Sequence, residues 1–91
     1  MIVTNRNRTM AVVIRHDGHK VALVPMRGGK LAVQRMTVVE FNRDWSFCDY
    51  PLAKALETFI AHAQSLGASK EALHGLESLA ERDRDVVASL F

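Results

Sequence analysis

The sequence predicts an α+β domain: a three- to four-stranded antiparallel β-meander followed by two C-terminal α-helices packed on the sheet, in the order β-β-β-(β)-α-α. Three observations carry this expectation. "MAVVIRH", "HKVALVPM" and "LAVQRMTVVEF" are rich in β-branched residues and lie between residues 10 and 41. They are separated by Asp17-Gly18 and Gly28-Gly29, dipeptides suited to two-residue hairpin turns. Beyond residue 50 the apolar residues recur at three- and four-residue spacing instead of two.

The chain has 91 residues, of which 48% are hydrophobic and 24% charged, the balance of a single ordinary globular domain. A chain of this size buries only about 60–65% of its unfolded surface, so few core defects are tolerable. Residues 1–9 carry Arg6 and Arg8 and no apolar stretch of secretory length; they are expected to form a flexible basic N-terminal arm.

Residues 10–48 form the expected meander. If each glycine-bearing turn spans two residues, His16 faces His19, Arg15 faces Lys20, Ile14 faces Val21 and Val12 faces Leu23. Across the second turn Met26 faces Leu31, Val24 faces Val33, Ala22 faces Arg35 and Val21 faces Met36. Alternation then gathers Val12, Ile14, His16, His19, Val21, Leu23, Met36 and Val38 on one face, which the helices are expected to cover. The opposite face mixes Val13, Val24 and Val33 with Arg15, Lys20 and Arg35. The connector 41–50 holds four aromatic residues; with a turn at Asn42-Arg43, Trp45 and Phe47 would form a short fourth strand on the Val38 side.

The first helix is expected over 51–66. Leu52, Ala55, Leu56, Phe59, Ile60 and Ala63 make one apolar stripe, Pro51 suits the helix start and Gly67 stops it. The second is expected over 69–90, capped by Ser69, with Glu71 in its first turn and a seam of Leu73, Leu76, Ala80, Val87 and Leu90. "ERDRD" at 81–85 interrupts that seam and is expected to bend or fray the helix.

Charge is distributed unevenly. Residues 1–45 carry eight Lys/Arg against three Asp/Glu, whereas residues 46–91 carry four against seven. A basic face turned to an anionic partner is one consequence of such asymmetry; mutual attraction of the halves is another. The lone Cys48 excludes an internal disulfide and fits a reducing, cytoplasmic location. No apolar run is long enough to span a membrane.

Chemistry-bearing motifs are few. In "RHDGHK", Asp17 and Gly18 read as the turn, and opposed His16 and His19 could supply two metal ligands where a site needs three or four. Cys48 has no sequence-local base and reads as a small buried hydrophobe. HExxH, GxSxG and Walker spacings are absent from the sequence. The expectation is therefore a protein without catalytic residues, metal or cofactor.

Function is expected to lie in binding. Valines left in the open on a sheet face need a cover, and a second copy of the chain is the first candidate for it. The leading expectation is an interaction module that self-associates through Arg15, Lys20, Arg35, Val13, Val24 and Val33. The alternative is a nucleic-acid-binding or regulatory protein whose Arg15, Lys20 and Arg35 contact phosphates, extended by Arg6 and Arg8. A metal-dependent or enzymatic protein using His16 and His19 is the third.

Overall fold

A computed structural model describes the backbone of residues 1–90 and the side chains of residues 1–82. The elements are β1 (Ile2–Thr4), β2 (Met10–His16), β3 (Lys20–Pro25), β4 (Gln34–Thr37), α1 (Val38–Asp44), β5 (Ser46–Phe47), α2 (Leu52–Leu66) and α3 (Lys70–Leu90). The strands form one antiparallel sheet in the order β4-β3-β2-β1-β5, with the C-terminal helices packed on it. The α+β class and the sheet-then-helices order agree with the sequence.

The N-terminal segment differs from the expected arm. Ile2 and Val3 are 2% and 1% exposed, and β1 lies between β2 and β5, pairing Ile2 with Val12 and Val3 with Phe47. The loop that follows is internally bonded. Asn5 Oδ1 accepts from the backbone amides of Asn7 and Thr9, both at 3.0 Å, and the Asn5 carbonyl accepts from the Arg8 amide. Arg8 takes a left-handed φ of 61°, a conformation that costs a non-glycine residue about 1–2 kcal/mol.

The first hairpin has a different register from the expected one. Observed pairs are Val12 with Val24, Val13 with Leu23, Arg15 with Ala22 and His16 with Val21. Two local features cause the shift. The central turn residues are Gly18 and His19, not Asp17 and Gly18; only Gly18 has positive φ, 90°, as a Gly-X turn requires. Asp17 instead precedes the turn, where its carboxylate accepts from the amides of His19 at 2.9 Å and Lys20 at 2.7 Å. A β-bulge between Val13 and Arg15 then inserts Ile14 without a partner and resets the alternation. His16 and His19 are consequently not opposed.

The second pairing follows the expected register where it is formed, with Ala22 opposite Arg35 and Val21 opposite Met36. The ladder ends at Gln34, however, so residues 26–33 are an excursion and not a two-residue turn. Leu31 anchors the excursion to the turn between α2 and α3: its amide donates to the Gly67 carbonyl and its carbonyl accepts from the Ser69 amide.

Residues 38–44 form α1, where a continuing strand and an Asn42-Arg43 turn were expected. A capping box starts this helix: Thr37 Oγ1 accepts from the Glu40 amide, and the Glu40 carboxylate accepts from the Thr37 amide. The helix turns the chain over the sheet, so β5 pairs with β1 at the far edge.

Two apolar layers result. Ile2, Val12, Val24 and Leu31 pack with Ala55, Leu56, Phe59 and Ala63 of α2 and Ala72 and Leu76 of α3. On the other face Val3, Ala11, Val13, Val21 and Leu23 pack with Phe41 and Trp45. The C-terminal helices thus cover the Val12–Val24 side, while Val21, Leu23, Met36 and Val38 lie on the α1 side. The expected single surface is split, and its valines are largely interior: Val13 is 7% and Val24 0% exposed. Both sheet faces are covered within one chain, which removes the exposed-valine basis for self-association.

The helices themselves match the sequence closely. Gly67, φ 92°, ends α2, and Ser69 Oγ accepts from the Ala72 amide at the start of α3. α3 runs without interruption to Leu90; Asp83, Val87 and Leu90 lie outside the residues whose side chains are described.

Candidate functional site

The bulge in β2 places Ile14 and Arg15 on the same, helix-covered side. Beyond Ile14 the sheet row is Arg15, Ala22, Arg35, and α3 crosses above it. This row and the α3 stripe Glu71, His74, Ser78 and Arg82 bound an open groove of about 480 Å³. Ile14, Ala22, Gly75 and Leu79 supply its apolar walls, and His16 stands at its edge.

Two backbone choices set the groove's depth. Gly75 sits against Ile14 so closely that a Cβ there would lie 2.8 Å from Ile14 Cδ1. The helix is thereby seated low on the bulge. The spacing of residues 71, 74, 78 and 82, by three and four, keeps all four side chains on the stripe that overlooks the sheet end.

Among the described residues the groove is cationic: Arg15, Arg35 and Arg82 line it with one carboxylate, Glu71. Glu71 pairs with Arg35, both side chains being more than half exposed, so the pair is solvent-screened and separable. Arg15 has no ion-pair partner among the described residues. A groove lined by guanidinium groups beside apolar side chains is suited to an anion.

Glu71, His74 and Ser78 share a stripe, and no hydrogen bond joins them among the described residues. His16 Nδ1 accepts from the Gly18 amide at 3.3 Å, and its ring stands edge-on to Phe41, with centroids 6.2 Å apart. Among the described residues no three His, Cys, Asp or Glu side chains converge as metal ligands. Cys48 is half-buried beside the α2–α3 core.

Of the expected binding residues, the structure brings Arg15 and Arg35 together and leaves Lys20 at the hairpin end, opposite Thr37. Val24 and Val33 pack under the helices, and Val13 lies on the other face. Sequence reasoning missed His74, Ser78 and Arg82. Their signal was a polar stripe at helical spacing around a mid-helix glycine, which helix propensity alone disfavours.

A second basic region lies at the opposite end of the sheet. Asn5, Arg6, Asn7, Arg27, Gln34, Arg43, Asp44 and Trp45 line a cleft of about 450 Å³. There Arg43 is held by Asp44 through bonds of 3.0 and 3.1 Å, which also keep the Asp44 carboxyl below its ordinary range.

Comparison with known families, with curated proteins and with solved structures finds no match to this chain. The described helices include none long and apolar enough to cross a membrane.

Proposed function

We propose that this chain is a small non-catalytic binding module whose groove between α3 and the bulged end of β2 engages the phosphate backbone of a nucleic acid. The observation that carries this reading is the convergence of Arg15, Arg35 and Arg82 around one open groove that, among the described residues, is lined by a single carboxylate. Guanidinium groups are suited to bidentate phosphate contact, and an open groove accommodates an extended polyanion better than a compact ligand. The lone cysteine fits action in a reducing, cytoplasmic compartment.

Fluorescence anisotropy with labelled mixed-sequence DNA and RNA, repeated across a salt series, tests the proposal. Arg15→Ala/Arg35→Ala/Arg82→Ala is expected to weaken binding and to lower the salt slope by about 2 to 3. Unchanged affinity and slope in a folded triple variant would reject the groove.

Self-association is a second reading, favoured by one observation away from the sheet faces. Phe47 is 72% exposed on the two-residue edge strand β5. A dimer formed there should dissociate on Phe47→Lys in light scattering; a wild-type chain that stays monomeric at high concentration rejects it.

A further inference from the structure

The loop joining β1 to β2 stands between two clefts. On one side Arg6 lines the cleft with Arg27, Arg43 and Trp45. On the other, Arg8 shares a cleft of about 380 Å³ with Tyr50, Met10, Met26, Thr58 and Phe59. Tyr50 is 41% exposed and Arg8 is exposed, so the cleft they share presents both an aromatic and a cationic residue to solvent. Residues 5–9 and 26–33 carry Arg6, Arg8, Arg27 and Lys30 and no carboxylate.

The β1–β2 loop that carries Arg6 and Arg8 is internally bonded. Asn5 ties its ends together through its side chain and backbone, and the conformation it imposes puts Arg8 at φ 61°. Glycine or asparagine would occupy that position with less strain. A strained arginine that lines a cleft with a partly exposed tyrosine is the kind of outlier that accompanies a ligand site.

We propose that single-stranded nucleic acid crosses the β1–β2 loop, with phosphates on Arg6, Arg8 and Arg27 and one base stacked on Tyr50 in the cleft it shares with Arg8. Alternating cations and an accessible aromatic ring are what an unpaired strand requires, since its bases present free π-faces that a duplex hides. Anionic membranes fit less well, because residues 5–9 present no apolar side chain for insertion. This surface is separate from the α3 groove and does not depend on it.

The test is anisotropy with a labelled oligothymidylate strand and, in parallel, a duplex of the same length. Arg8→Gly relaxes the loop without deleting it, so it separates a folding defect from a binding defect. It is expected to stay folded and to bind the single strand several-fold more weakly. Arg6→Ala/Arg8→Ala should reduce the single-strand salt slope by about 1.4. Tyr50→Ala should weaken the single strand about tenfold and leave the duplex unchanged, whereas Tyr50→Phe should retain affinity. Wild-type affinity in folded Arg8→Gly and Tyr50→Ala, or equal loss for strand and duplex on Tyr50→Ala, would overturn the proposal. Loss in these variants with an unaffected Arg15→Ala/Arg82→Ala would support this site and reject the groove; the converse would reject this site alone.

Discussion

Gly75 of α3 and Ile14 at the bulge of β2 are in such close register that a methyl group on position 75 would lie 2.8 Å from Ile14 Cδ1 and 3.1 Å from both its Cβ and its Cγ2. Two of these three neighbours sit near the strand backbone and have little room to yield. Ordinarily Gly→Ala inside a helix stabilises by about 1 kcal/mol. Here overpacking of about 1–3 kcal/mol opposes that gain, so Gly75→Ala is expected to be neutral to destabilising, by up to about 2 kcal/mol. Ile14→Val removes Cδ1 and should recover part of the loss in the double variant. Urea denaturation of the four proteins in the cycle measures this coupling.

Arg8 gives a prediction of opposite sign. Its left-handed backbone is imposed by the Asn5-centred loop, and glycine adopts it without a Cβ clash. Arg8→Gly is expected to stabilise by up to about 1 kcal/mol, part of the strain relief being offset by greater freedom of the unfolded chain. Thermal and urea unfolding check this, and a clear destabilisation would mean that the Arg8 side chain itself holds the fold.

Those two residues also mark where the sequence was readable and where it was not. The α2 stripe from Leu52 to Ala63 and the Ser69 cap depend on local spacing, and both were legible. The β3–β4 register was legible too, because Val21, Ala22, Arg35 and Met36 keep simple alternation. The bulge at Ile14 was not: it depends on how α3 seats on the sheet, a contact with residues about sixty positions away. One unpaired residue moved Arg15 to the side of Ile14 and changed an expected open sheet face into a groove under a helix. β1 is too short for a periodic signal of its own. The α1 start was written in Thr37 and Glu40, a capping pair outweighed by the β-branched run that contains it.

Asp17 links the hairpin to pH. Backbone bonds from Lys20 and His19, in that order, hold its carboxyl below the ordinary aspartate range. A lowered folded-state value means that the carboxylate's contribution is fully present above the unfolded pKa and is lost as pH falls through the folded one. Urea midpoints should therefore decline between about pH 5 and pH 2, and part of that decline should disappear in Asp17→Ala. NMR titration of the Asp17 carboxyl should show a midpoint below that of an unstructured peptide.

The Arg35–Glu71 pair holds one groove arginine in check. Both side chains are more than half exposed, so breaking the pair should cost stability no more than about 1 kcal/mol. Glu71→Gln removes the one carboxylate that lines the groove among the described residues and leaves Arg15, Arg35 and Arg82. It is expected to tighten nucleic-acid binding several-fold at low salt, with the advantage shrinking as salt rises. Weaker binding by this variant would show that Glu71 orients Arg35 instead of competing for it.

The groove is tested most directly by mapping amide chemical-shift changes of the wild-type chain as a mixed-sequence oligonucleotide is added. Changes concentrated at Arg15, Ala22 and Arg35 and along Glu71, His74, Ser78 and Arg82 are the expected result. Saturable binding that leaves those amides unmoved would contradict a nucleic-acid role for the groove beneath α3.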